Sequence, residues 1–179
     1  MIKLILIFGS FFLTGVVCVE SIYNHSVTSI EGVNKPLTAY QGKKMLIITL
    51  PVQQSSSNDS LLHSLDSLRA VHVGSLVIIG VPAYEDGYNA SIKESLKQWY
   101  RSILSMDIIV TEGLYTRKTS GSQQHPLFKW LTDKAKNDHF GNDITGPRNK
   151  FIVWTDGELI GVLGAPTRIG GSTINDLLQ

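Results

Sequence analysis

The chain has 179 residues, enough for one domain with a sizeable core. With 42% hydrophobic and 17% charged residues, its composition is that of a globular protein and excludes a disordered polyelectrolyte. The formal net charge is +1 and Lys3 supplies the excess, so residues 19–179 are neutral and hold no basic cluster; nucleic acid and anionic membrane surfaces are not the expected partners.

Lys3 opens an apolar run, Leu4 to Val19, broken only by Gly9, Ser10, Thr14 and Gly15 and left at Glu20-Ser21. A positive start, an apolar middle and a polar exit read as a secretory signal peptide over residues 1–19, followed by an exported domain over 20–179 that is periplasmic or secreted. The run is shorter than the roughly twenty residues of a membrane span. An uncleaved anchor stays open as an alternative, and so does a lipoprotein leader lipidated at Cys18, although Leu13 to Val17 lack the small residues usual before such a cysteine. Cys18 is the only cysteine, so the domain after it has neither a thiol nor a disulfide.

Ile22 to Ile30 alternates loosely and predicts a strand or hairpin arm, with a turn at Glu31-Gly32-Val33-Asn34. Met45 to Leu50 is an unbroken apolar run of strand length, as a strand covered on both faces requires. After a polar loop over Gln53 to Ser57, Leu61, Leu62, Leu65, Leu68 and Val71 recur at helical spacing, with Ser57 or Asn58 as the expected cap. Leu76 to Val81 predicts a second buried strand and Pro82 to Ala90 a loop. Ser91 is the expected cap of a helix that carries Ile92, Leu96, Trp99, Tyr100 and Ile103 on one face. Asp107 to Thr111 predicts a third, short strand. Gly113 to Gln124 reads as a polar, loosely held loop, and Pro126 opens a helix to Lys136. Asp156-Gly157 between Lys150–Thr155 and Glu158–Leu163 is the clearest hairpin signal. A short helix capped near Ser172 closes the chain. Strands alternating with helices and a late hairpin imply a mixed sheet covered by helices on both faces.

Four segments in order resemble the glutathione peroxidase family. Lys35-Pro-Leu-Thr-Ala-Tyr-Gln-Gly-Lys-Lys-Met-Leu-Ile-Ile-Thr-Leu50 is similar to its Leu-x-x-Tyr-x-Gly-Lys lead into the first central strand. Val77-Ile-Ile-Gly-Val-Pro82 is similar to its second strand. His125-Pro-Leu-Phe-Lys-Trp-Leu131 resembles its His-Pro-Leu-Phe-Lys helix start, and Lys150-Phe-Ile-Val with Asp156-Gly157-Glu158 resembles its late strand and turn. The resemblance implies a thioredoxin-like α/β three-layer sandwich and, by descent, peroxide reduction.

It also implies where the chemistry would stand. That family uses a cysteine or selenocysteine that opens the helix after the first strand, where amide dipoles favour a thiolate. The matching position here is Gln54, a neutral amide that is no nucleophile. Glu85 stands where the family has its glutamine, and Gly146 and Pro147 stand where it has Trp-Asn. None of the four keeps its residue type, so the resemblance carries an expectation of a scaffold without thiol peroxidase activity, acting as a binding or structural module for an unidentified protein or small ligand. Residual or non-thiol catalysis is the alternative.

The remaining constellations read as structural. Ser55-Ser56-Ser57 suits helix capping and forms no Gly-x-Ser-x-Gly elbow. His63 and His72 are nine apart, His25, His125 and His139 are scattered, and no metal site is expected. Glu85-Asp86 reads as a solvated loop rather than an acid pair. Trp99, Tyr100, Phe128 and Trp130 are expected in the core. Gly164 and Gly170-Gly171 make no phosphate-binding fingerprint, and no cofactor is expected. Asn24, Asn58 and Asn89 head glycosylation sequons.

Overall fold

The computed structural model describes residues 20–179; Cys18 and the leader expected over 1–19 lie outside the described residues. Strand β1 (Ser26–Thr28) and strand β2 (Asn34–Pro36) form a small antiparallel hairpin. The main sheet has five strands, β3 (Lys44–Leu50), β4 (Leu76–Pro82), β5 (Ile109–Val110), β6 (Lys150–Val153) and β7 (Leu159–Leu163), in the order β5-β4-β3-β6-β7. β3 runs parallel to β4 from Lys44 beside Leu76 to Leu50 beside Pro82, and antiparallel to β6, with Ile47 beside Phe151. The hairpin β6–β7 turns at Gly157, whose φ of 93° suits glycine.

The alternation of β3 divides the core in two. Leu46, Ile48 and Leu50 point to one face, where they meet helix α1 (Ser56–Val71), helix α2 (Lys93–Ile103) and helix α5 (Ser172–Leu177) through Leu62, Leu65, Tyr100 and Ile174. Met45 and Ile47 point to the other, against helix α3 (Pro126–Thr132) through Leu127, Phe128 and Leu131. Because both faces are covered, the central strands read as unbroken apolar runs. Trp99, Tyr100, Phe128 and Trp130 are buried.

The ends of several elements differ from expectation. α1 begins at Ser56, and Ser55 caps it, its Oγ accepting from Asn58 N at 3.3 Å. The first turn, Ser56 to Asp59, is entirely polar, so the apolar periodicity starts a turn after the helix does. Asn89, not Ser91, caps the single 3₁₀ turn that leads into α2, its Oδ1 accepting from Ser91 N at 3.0 Å. The helix expected from Leu127 to Lys136 breaks at Asp133, whose carboxylate caps a separate turn, α4 (Lys134–Asn137). α5 is preceded by Gly171, with no side-chain cap. The arm expected from Ile22 is a 3₁₀ turn over Ile22–Asn24 before β1 begins.

Candidate functional site

The loops at the carboxyl ends of β3 and β4 and the segment leading into β6 meet at one end of the sheet. β3 ends under a clamp, in which the buried Tyr100 hydroxyl donates to Pro51 O at 2.8 Å. Val52 follows and packs beside Gly87, whose added Cβ would lie 3.6 Å from Val52 Cγ2, so the first loop borders the loop carrying Glu85. Gln54 is exposed between Val52 and the Ser55 cap. Ser55 takes up Asn58 N through both its side chain and its carbonyl, and Asn58 Nδ2 donates back to Gln53 O at 2.7 Å. The loop is thus closed on itself around a side chain with no nucleophilic atom.

Glu85 does not face that loop as a free carboxylate. Its Oε1 accepts from Thr116 N and Arg117 N at 2.8 Å each, and from Ser120 Oγ at 2.6 Å. Burial alone would raise its pKa; the donors from Arg117, Ser120 and Thr116 outweigh burial and hold it below the ordinary glutamate value. The adjacent Asp86 pairs with Arg117, and burial pushes its carboxyl up despite that pairing. So the solvated loop expected at Glu85-Asp86 is instead a half-buried carboxylate cluster. It fastens the 113–124 segment expected to be loose, half of which folds as 3₁₀ turns over Lys118–Gln123 with a kink at Gly121. Gly113 lets this segment pass over Tyr88, since a Cβ there would come within 1.9 Å of the ring. Tyr84 then stacks on Tyr115 at 4.6 Å.

Gly146 contributes its carbonyl, which accepts from Thr49 Oγ1 at 3.2 Å and from Asn149 Nδ2 at 2.7 Å. Pro147 has no donor to offer. The residue that reaches the helix end is Arg148, which sequence reasoning passed over. Its φ is 68°, its N–H donates to Thr49 O at 2.7 Å, and its guanidinium donates to Ser57 Oγ at 3.3 Å and Asn58 Oδ1 at 2.5 Å. Beneath it the ammonium of Lys150 is buried and donates to Arg148 O at 2.7 Å and Gly164 O at 3.1 Å. Burial, helped by the Arg148 charge, lowers its pKa to about 8. No sequence pattern marks Arg148, a single basic side chain between proline and a strand; Lys150 heads the strand motif already quoted, but nothing in that motif announces a buried ammonium.

The structure therefore brings the segments of Gln54, Glu85 and Gly146-Pro147 to one sheet end, but it turns Glu85 away into its own network and leaves Gln54 facing solvent. The histidines are not gathered into one site, although His25 lies near enough to His125 to add to the effect of burial in lowering its pKa. His125 Nδ1 accepts from Leu127 N at the start of α3, and His139 pairs with Glu158 at 2.9 Å. His25 is buried 3.8 Å from Glu20, its pKa lowered by burial. Among the described residues no three His, Cys, Asp or Glu side chains are grouped to hold a metal ion. Among them, too, no helix is long and apolar enough to cross a membrane.

No family model matches the chain. It is 29% identical over 148 residues to the glutathione peroxidase homolog BsaA of Bacillus subtilis (strain 168), covering 79% of this chain and 86% of that protein. Among solved structures, Trgpx in its apo form superposes with a TM-score of 0.64 at 18% identity, covering 88% of this chain and 93% of that one. A secreted Mycobacterium tuberculosis disulfide oxidoreductase homologous to Escherichia coli DsbE superposes with a TM-score of 0.53 at 11% identity, covering 88% and 96%. The order of strands, the helices on both faces and these likenesses agree with the resemblance read from the four sequence segments: the chain is glutathione peroxidase-like and its fold is thioredoxin-like.

Proposed function

We propose that this protein is an exported glutathione peroxidase-like domain that works by binding a partner or ligand and does not reduce peroxides through a thiol. The observation that carries the reading is the loop after β3, where an exposed Gln54 precedes the Ser55-capped helix and residues 19–179 contain no cysteine to replace it. A thiol peroxidase needs a thiolate that attacks the O–O bond, and neither an amide nor a serine hydroxyl without a base supplies one. Glu85 supports the same reading, since its carboxylate is spent on holding the 116–120 segment. Export rests on the Lys3 start and the apolar run to Val19. A neighbour in fold, the M. tuberculosis disulfide oxidoreductase, is a secreted protein.

The test is hydrogen peroxide consumption by the purified protein, with and without a thiol reductant, alongside thiol titration of the denatured chain. Consumption no faster than the reductant alone is expected. Catalytic turnover would overturn the reading and point to non-thiol catalysis.

A further inference from the structure

At the other end of the sheet from Gln54, where β3 and β4 begin, the surface folds inward into a cavity of about 480 Å³. That volume suits a small molecule. Its floor is the edge of the core, where Val77 and Ile109 are each 7% exposed. Its rim carries Val33, Val73 and Met106, exposed by 50%, 72% and 70%. These are three of the five large apolar side chains that stand exposed among the described residues. One exposed hydrophobe needs no explanation, but three gathered around one cavity do.

The charges around the cavity are unequal. Arg69 pairs with Asp107, and Arg101 donates to Glu31 at 2.8 Å, so two cations are neutralised by the two acids of the wall. Lys35 and Lys43 line the same cavity, and neither takes part in an ion pair among the described residues. Tyr40 stands beside them; burial raises its pKa and keeps it a hydrogen-bond donor.

We propose that this cavity binds a medium-chain acyl carboxylate as a monomer, with its tail between Val33, Val73 and Met106 and its carboxylate at Lys35 and Lys43. A peptide is the poorer fit. Strand ends offer no ladder of free amides for an added strand, and the outer side of β5 is already engaged, with Ile30 N donating to Val110 O at 2.8 Å. An unbranched chain needs only an apolar wall and a charge at one end. The cavity is separate from the sheet end that resembles the peroxidase site, so this inference stands or falls independently of the proposed loss of thiol chemistry.

Calorimetric titration of the purified protein with dodecanoate, below its micelle concentration, tests it. One saturable site per chain is expected, tightening by up to about fourfold per methylene from octanoate to dodecanoate. Dodecyl maltoside and dodecyltrimethylammonium are expected to bind at least tenfold more weakly. Val73→Asp and Met106→Asp, at exposed positions where the fold is not at stake, should each weaken dodecanoate at least tenfold. Lys35→Gln with Lys43→Gln should erase the preference for the carboxylate over the maltoside. Absence of a saturable site, equal binding of the cationic amphiphile, or full affinity in these variants would overturn the proposal. So would binding to anionic phospholipid vesicles without binding to monomeric dodecanoate, which would make the patch a membrane surface.

Discussion

The guanidinium of Arg148 donates to Asn58 Oδ1 at 2.5 Å, tying the segment that enters β6 to the first turn of α1. The bond is made from a backbone with φ of 68°, a left-handed conformation that costs a residue with a Cβ about 1–2 kcal/mol. The side chain and the backbone therefore act in opposite senses at one position.

Two substitutions separate them. Arg148→Ala keeps the unfavourable backbone and loses the hydrogen bonds to Ser57 and Asn58, and should cost about 1–2 kcal/mol of stability. Arg148→Gly loses the same bonds but relaxes the backbone, and should be more stable than the alanine variant by about 0.5–1 kcal/mol. Urea denaturation measures both. An alanine variant at least as stable as the glycine variant would show that the backbone is unstrained there.

Gln54→Cys would put a thiol before a capped helix N-terminus. It should react with hydrogen peroxide at about the rate of a free solution thiol at the same pH. Pro147 and Gly146 give the developing charge no side-chain donor, and the loss of one preorganised donor typically costs about 2.7–4 kcal/mol of barrier. Stopped-flow peroxide kinetics would read this directly, and a second-order rate a thousandfold higher would mean that the sheet end still activates sulfur.

Glu85→Gln tests the carboxylate network. The folded pKa of Glu85 lies below its unfolded value, so its contribution is present above the unfolded pKa and is lost as pH falls through the folded one. At neutral pH the variant should lose about 1–2 kcal/mol, the margin of charge-assisted over neutral hydrogen bonds. In acid, below the folded pKa, the two proteins should converge. A constant difference across pH 3 to 7 would show that the charge is not what holds the 116–120 segment.

At Lys150 the pKa is also lowered, but here folding disfavours the charged form. Its pKa of about 8 lies below the ordinary lysine value of 10.5, so the buried ammonium is a cost below pH 8 that fades as pH rises towards 10.5. Lys150→Met should remove this rise, flattening the stability profile relative to wild type over that window. The methionine also leaves the carbonyls of Arg148 and Gly164 without their donor, which should lower stability at the alkaline end by about 1–3 kcal/mol. Parallel slopes in thermal unfolding from pH 7.5 to 10 would show that Lys150 does not titrate there.

The central strands were legible because burial on both faces leaves an unbroken apolar run, as in Met45 to Leu50 and Leu76 to Val81. The Asp156-Gly157 turn was legible because a tight hairpin demands those residues. Helix starts were not: the cap at Ser55 precedes a wholly polar turn, so the pattern of leucines gives no sign of it. The positions of Gln54, Glu85, Gly146 and Pro147 came from motif order, and the structure does bring their segments to one sheet end. What Glu85 does there was hidden, since its partners Thr116, Arg117 and Ser120 lie about thirty residues on in a segment with no periodicity. Arg148 was hidden for the same reason, since its hydrogen bond to Asn58 spans 90 residues and leaves no local signature, and Lys150 was legible as the head of a strand but not as a buried ammonium.

The place of β3 has a kinetic meaning. Its partners are β4, which follows one helix later, and β6, where Ile152 lies beside Leu46. During synthesis the β3–β4–β5 half can pair at once, while the other edge of β3 stays open until the chain reaches Val153. Non-local pairing of this kind slows folding, and an apolar strand with an open edge is a template for pairing with other chains. The nascent protein is therefore most exposed to misassociation over the hundred residues between the two, and substitutions that weaken β6 should raise aggregation during expression before they lower the stability of protein that has already folded.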